Sequence, residues 1–257
     1  MKLVILAGGF GTRLGERTVE IPKPMVLVGG KPIIWHIMKI YSAYGINEFV
    51  ICLGYKGEVI KDYFYNYRMR NNDFTVNLND NSIVYHNFHN EEKWEITLVD
   101  TGLNTLKGGR LKRIEKYLDD DINLLTYGDG VADINITKLI GFHKSHNKIL
   151  TISGVHPPAR FGELIAEDKE LISFEEKAQT SQGLINGGYM VFNKELLTYV
   201  SDDENCDLEI GAFDKLTKER KVAVYKTQGL WACMDHERDV KHLNKLWNNN
   251  EAFWKVW

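Results

Sequence analysis

Apolar and polar positions follow two rhythms along this chain of 257 residues. Residues 3–6 form an unbroken apolar run stopped by Gly8-Gly9, the mark of a strand covered on both faces. Pro32 then opens a segment with apolar residues at Ile33, Ile34, Ile37, Ile40, Tyr41 and Tyr44. That spacing is helical, and Gly45 stands where a left-handed C-terminal cap belongs. Residues 49–53 read as a second buried strand and 57–67 as a second helix. Strand-like runs follow at 74–78, 83–86 and 96–99, then a helix at 111–118 and a core strand at 123–126. This βαβ rhythm predicts an α/β fold with a doubly wound, mostly parallel, Rossmann-like sheet. Beyond about residue 150 strands crowd together, at 150–155, 171–174 and 185–192, with 222–225 between helices at 208–219 and 236–247. No repeat or low-complexity linker separates the two parts. The expectation is a single domain over residues 1–257, with a smaller β-rich portion grafted onto residues 1–150.

Composition narrows the class. With 44% hydrophobic and 26% charged residues the chain has the balance of a soluble globular protein. Its 32 basic and 35 acidic residues leave a net charge of −3, so no basic field exists to hold a nucleic acid, and any phosphate recognition must be local. Cys52, Cys206 and Cys233 lie far apart without a CxxC pair, which predicts free thiols and neither a disulfide frame nor a zinc site. The amino-terminal apolar run ends at Ala7, too short for a signal peptide, and no stretch approaches the roughly 20 apolar residues of a membrane span. A cytoplasmic protein with no membrane partner is expected.

Two segments carry chemistry. Directly after the first strand comes Leu6-Ala7-Gly8-Gly9-Phe10-Gly11-Thr12-Arg13-Leu14. Glycines let the backbone approach a phosphate chain and aim successive amides at it, and Arg13 adds a forked cationic donor. The run is neither GxxxxGK[ST] nor GxGxxG, so the P-loop and dinucleotide patterns do not fit. By itself it is no more than a glycine-rich turn. The segment Ile21-Pro22-Lys23-Pro24-Met25 then sets one lysine between two prolines. A solvated lysine gains nothing from so stiff a frame, whereas one that must meet a phosphoryl group in fixed geometry does.

GGFGTRL followed by PKPM resembles the signature of the sugar-1-phosphate nucleotidyltransferase family. Six further blocks in the same order extend the likeness over almost the whole chain: residues 31–38, 54–57, 97–102, 108–113, 127–133 and 185–188. Their sum is most similar to members that use CTP and a glucose 1-phosphate. The resemblance implies that Leu6, Ala7, Gly8, Gly9, Gly11, Thr12, Arg13, Lys23, Thr105, Gly109, Arg110 and Gly128 bind the nucleotide, with Arg13 and Lys23 catalytic. It implies a sugar-phosphate site at Gly162, Glu176, Lys177, Asn186 and Gly187, which makes residues 151–257 the sugar-binding half with the C-terminal helices. It also implies Mg²⁺ on Asp129, which follows a core strand, and on Asp235. Asp133 is expected to cap a helix near Ile134. Lys107 stands where the family usually has threonine, and Ala178 where it has proline.

An oligomer of identical chains is expected, and the apolar carboxyl end (Phe253, Trp254, Trp257) predicts burial against the body or a partner subunit. Two alternatives stay open here: a transferase for another base or sugar, and a non-catalytic relative that binds sugar nucleotides. A metal-dependent glycosyltransferase would need a DxD motif and has no use for GGFGTRL with PKPM.

Overall fold

The computed structural model describes residues 1–15, 17–86, 92–157, 163–167, 169–175 and 183–257, with the backbone alone for 163–167 and 173–175. Seven strands build one sheet: β1 (Leu3–Leu6), β4 (Glu48–Leu53), β7 (Glu95–Asp100), β8 (Ile122–Tyr127), β10 (Leu150–Val155), β13 (Ile185–Asn193) and β14 (Val222–Lys226). Their spatial order is β14-β10-β13-β8-β1-β4-β7. β1 pairs in parallel with both β4 and β8, β4 with β7, and β10 with β14. β13 alone is reversed, antiparallel to β10 and to β8. The mostly parallel sheet read from the sequence is therefore present, and strands from both halves of the chain join it.

Four short ladders complete the strand set: β2 (Leu27–Val28) with β3 (Lys31–Pro32), β5 (Asp73–Asn77) with β6 (Ser82–His86), β9 (Gly130–Ala132) with β15 (Trp231–Cys233), and β11 (Glu163–Glu167) with β12 (Glu170–Glu175). The helices are α1 (Arg17–Glu20), α2 (Ile33–Ser42), α3 (Gly57–Tyr65), α4 (Tyr67–Asn71), α5 (Lys107–Arg113), α6 (Ile136–Lys144), α7 (Asp214–Lys218) and α8 (Glu237–Asn248). A π-helical turn at Leu208–Phe213 leads into α7.

The continuous apolar runs have a physical reason, because successive residues of a strand face opposite sides of the sheet. Leu3 and Ile5 of β1 join a core formed with α2, α6 and α8, while Val4 and Leu6 join a second core under α5 and residues 208–216. All four are essentially excluded from water. The carboxyl end closes the first core: Trp254 is fully buried, and its Nε1–H donates to His36 Nδ1 at 3.3 Å. Burial against the chain's own body thus accounts for these aromatics.

Two local expectations are corrected. The helix after Asp129 starts at Ile136 with Asn135 as its cap, accepting from the Lys138 amide, while the Asp133 amide is used by the Leu230 carbonyl. The expected helix over 57–67 is two helices meeting at Asn66.

Candidate active site

In an open α/β sheet the ligand crevice lies beyond the carboxyl ends of the parallel strands. Here a cleft of about 800 Å³ sits at that edge, between the residues after β1 and those after β8. Because β13 runs in reverse, its amino-terminal end, with Asn186, reaches the same edge.

The glycine run is aimed by a buried cation. Arg110 of α5 is 4% exposed, and its guanidinium donates to five oxygens at 2.8–3.1 Å: the carbonyls of Gly8, Leu53, Gly102 and Leu103 and the Thr101 hydroxyl. The Gly8 carbonyl also accepts from the Tyr55 amide at 3.1 Å. In a trans peptide the next N–H points the opposite way, so the Gly9 amide is turned toward the cleft. The guanidinium lies so close that a Cβ on Gly8 would sit 2.1 Å from its Nη1. That close approach is why Gly8 must be glycine. Gly11, at φ +66°, makes the left-handed entry to the short helical turn Thr12–Leu14 that holds Arg13.

Lys23 arrives on a second turn. Pro22 is extended, and the amides of Met25 and Val26 close onto the carbonyls of Pro22 and Lys23. Pro24 packs onto Gly128, where a Cβ would come within 3.0 Å of the ring. This contact delivers the Lys23 ammonium between two carboxylates, 2.5 Å from Asp129 Oδ2 and 2.5 Å from Asp235 Oδ1.

Those aspartates lie 106 positions apart, and the β9–β15 ladder joins them. Gly130 faces Cys233 in register, and the Met234 amide donates to the Asp129 carbonyl at 2.9 Å. Asp239 of α8 accepts from the Asp235 and His236 amides, which fixes the turn carrying Asp235. Arg13 Nη1 reaches Asp235 Oδ2 at 2.6 Å.

Charge dominates this centre. Burial pushes the Asp235 carboxyl upward, but the Lys23 ammonium and Arg13 more than offset it, leaving the group below the usual carboxylate range. Burial works against the Lys23 ammonium, yet Asp129 and Asp235 raise its pKa above the ordinary value. Among the described residues, Asp129, Cys233 and Asp235 form a group whose ligand atoms lie within 4.8 Å of one another. Burial pushes the Cys233 thiol up, so it stays protonated, and the donors left are carboxylate oxygens. Two partly exposed carboxylates whose oxygens lie this close offer donors that fit a hard divalent ion such as Mg²⁺, which takes its remaining ligands from water and phosphate oxygens.

The cleft brings together Leu6, Ala7, Gly8, Gly9, Gly11, Thr12, Arg13, Lys23, Thr105, Arg110, Gly128, Asp129, Asn186 and Asp235 of the residues singled out from the sequence. Two stand apart from its lining. Gly109 donates its amide to the Cys206 carbonyl and packs on the Asp203 carbonyl, so it seats α5 against the 203–206 loop. Gly187 is packed against Val155, and its carbonyl accepts from Trp231 Nε1. Gly162, Glu176 and Lys177 lie outside the described residues. The cleft adds Lys107, Tyr127, Glu209, Trp231 and Cys233, which the sequence reading did not assign. Tyr127 was legible in principle, since it adjoins Gly128-Asp129, whereas Glu209 belongs to no motif.

A parallel sheet with an amide-lined glycine loop, a buried lysine and paired carboxylates at its carboxyl edge defines an α/β protein built for phosphoryl transfer from a nucleotide. The chain belongs to the nucleotidyl transferase family, whose model matches residues 2–253. It is 45% identical over 258 positions to the glucose-1-phosphate cytidylyltransferases of Salmonella typhi and Salmonella typhimurium, with all of each chain covered. The solved structure of HddC from Yersinia pseudotuberculosis complexed with GMP-PN superposes with a TM-score of 0.66 at 25% identity, covering 96% of this chain and 99% of that one.

Proposed function

We propose that the protein transfers the cytidylyl group of CTP to α-D-glucose 1-phosphate, giving CDP-glucose and pyrophosphate for the synthesis of deoxysugars and surface polysaccharides. The observation that carries this reading is full-length 45% identity to cytidylyltransferases in a chain whose Lys23, Asp129 and Asp235 meet beneath the glycine loop. A phosphate oxygen of the sugar 1-phosphate attacks the α-phosphorus of CTP. The bond from that phosphorus to the bridging oxygen breaks in line, and its electron pair leaves with pyrophosphate. A single displacement needs no covalent enzyme intermediate, so catalysis is placement and charge neutralisation.

The amides of the glycine loop and Arg13 hold the triphosphate, with Arg110 bracing the loop from below. Lys23 neutralises charge that builds on the reacting phosphoryl groups. Asp129 and Asp235 would hold Mg²⁺, which would supply charge neutralisation on the phosphate oxygens. Thr105 and its neighbours at the start of α5 face the base and ribose. Asn186 serves the sugar, and the resemblance assigns Gly162, Glu176 and Lys177 to the same task. Residues 1–150 supply the nucleotide side and 151–257 the sugar side of one domain.

The protein works in the cytoplasm, a reading supported by its three free cysteines and by the absence, among the described residues, of a helix long and apolar enough to cross a membrane. It assembles with copies of itself. The β5–β6 hairpin supports this, since Leu78, Val84 and Ile83 on it are 84%, 56% and 50% exposed. Incubation of the purified protein with CTP, glucose 1-phosphate and Mg²⁺ tests the reaction. CDP-glucose and pyrophosphate are expected in equal amounts, with none in excess chelator. Hydrolysis of CTP without sugar-nucleotide formation would overturn the reading.

A further inference from the structure

Glu209 sits on the π-helical turn that faces the cleft, a helical form that recurs at functional positions. Its Oε1 accepts from two groups at once, the Tyr127 hydroxyl at 2.6 Å and the Lys107 ammonium at 2.5 Å. Its Oε2 is buried and has no hydrogen-bond partner among the described residues. One carboxylate oxygen thus gathers a phenol from β8 and an ammonium from α5 at the wall of the cleft. The arrangement therefore calls for a role in the cleft.

That role follows from where the protons lie. The Tyr127 hydroxyl donates to Glu209 Oε1, which commits the one hydrogen it carries. The phenol oxygen is then left as an acceptor, and the Asn186 Nδ2 amide donates to it at 3.1 Å. On its other side the Asn186 Oδ1 accepts from the Gly188 amide at 2.8 Å. Both ends of the Asn186 amide are thereby assigned, and its second N–H has no partner among the described residues at the exposed start of β13. Without Glu209 the phenol could turn and donate to Asn186 Oδ1, inviting the amide to flip and present the wrong group. Lys107 adds a second hold, lying 5.3 Å from the centroid of the Tyr127 ring as well as pairing with the carboxylate.

We propose that Glu209 is a positioning residue for the acceptor sugar: through Tyr127 it fixes the Asn186 amide so that its second N–H meets a hydroxyl or phosphate oxygen of the sugar 1-phosphate. The inference rests on the nucleotidyltransferase reading and deepens it, since nothing in the glycine loop or the carboxylate pair selects the acceptor. The chemistry recognised is an uncharged or anionic oxygen, matched by an amide donor whose orientation the relay locks.

Steady-state kinetics on Glu209→Ala, Glu209→Gln and Tyr127→Phe test it. Loss of one oriented hydrogen bond is expected to raise KM for glucose 1-phosphate about tenfold in Glu209→Ala and Tyr127→Phe, while KM for CTP stays within about twofold. Glu209→Gln should recover most of the loss, because its amide oxygen still accepts from Tyr127. The double variant Glu209→Ala/Tyr127→Phe should be no worse than the poorer single one, as for links of one relay. Equal rises in both KM values, or strictly additive losses, would overturn the proposal, as would unchanged KM for the sugar phosphate in a folded Glu209→Ala. Wild-type turnover keeps this apart from the underlying reading. If another triphosphate and sugar phosphate prove to be the substrates, the functional reading fails, and the same split between acceptor and nucleotide KM, measured with that pair, still decides the relay.

Discussion

Lys23 sets its ammonium between the two carboxylates, and this gives it two separable consequences. Its ammonium touches both aspartates, and the residue is 8% exposed in a frame of two prolines. Lys23→Ala is expected to lower kcat by roughly 10²-fold or more, the usual effect of removing one electrostatic stabiliser. CTP affinity should fall far less, since the glycine loop and Arg13 remain. Lys23→Arg should restore little, because a planar fork does not fit where a compact ammonium bridges two carboxylates. Without nucleotide the same ammonium competes with metal for the carboxylates. Lys23→Met should therefore bind Mn²⁺ more tightly than wild type, by about tenfold or more for one charge removed at contact distance. Titration followed by Mn²⁺ electron paramagnetic resonance reads this without any turnover, and weaker binding in Lys23→Met would contradict the placement. Asp129→Asn and Asp235→Asn should each lose turnover by orders of magnitude while melting near the wild-type temperature.

The elements around the cleft show how local sequence and tertiary contact divide the work. Gly8 carries a direct prediction: the Cβ of Gly8→Ala would meet the Arg110 guanidinium at 2.1 Å. Either the loop or the buried cation must shift, costing about 2 kcal/mol as overpacking does. The expected result is a lower melting temperature and a raised KM for CTP. Elements with a continuous period and a local stop were legible in the sequence, as with β1 ending at the glycines and α2 running from Pro32 to the cap region at Gly45. α5 starts at Lys107, ahead of the helix expected over 111–118, and although Gly108 and Gly109 read as opening that helix, the reason for two poor helix formers there was not legible. They are required by packing, since a Cβ would lie 2.7 Å from the Cys206 carbonyl at Gly108 and 2.4 Å from the Asp203 carbonyl at Gly109. Arg110 was legible as a member of a block, but its bracing of Gly8 from 102 positions away was not. Glu209 was invisible for the same reason, because its partners Lys107 and Tyr127 are distant in sequence and its own surroundings form no pattern.

At the scale of the whole molecule, the carboxyl end and α2 lock together through His36, and that lock is sensitive to acid. The imidazole is fully buried, donates from Nε2 to the Val28 carbonyl at 2.8 Å and accepts from Trp254 at Nδ1. Burial lowers its pKa from 6.5 to about 4. The unfolded chain therefore binds a proton below about pH 6.5 that the folded chain refuses until about pH 4. Stability from this group is intact above pH 6.5 and is lost as pH falls between those values, by roughly 3 kcal/mol in all. Burial lowers the pKa of His143 too, so it adds in the same direction. Urea denaturation at pH 7 and pH 4.5 should show the drop, and His36→Gln, whose amide can still donate to Val28, should show a smaller one. Trp254→Ala should cost about 3–5 kcal/mol from the cavity it leaves. Truncation before Phe253 should be as damaging, which a thermal melt would reveal.

The glycine loop, its cations and the carboxylate pair meet groups common to all nucleoside triphosphates, so the choice of substrate is read from turnover of the whole protein. The most direct measurement is kcat/KM for pyrophosphate release over a grid of CTP, dTTP, UTP and GTP against glucose, mannose and galactose 1-phosphates, with Mg²⁺ present. The account predicts that CTP with glucose 1-phosphate exceeds every other pair by at least about tenfold, a difference of roughly 1.4 kcal/mol in transition-state binding. Equal or faster release with another triphosphate, or no dependence on the sugar phosphate, would contradict it.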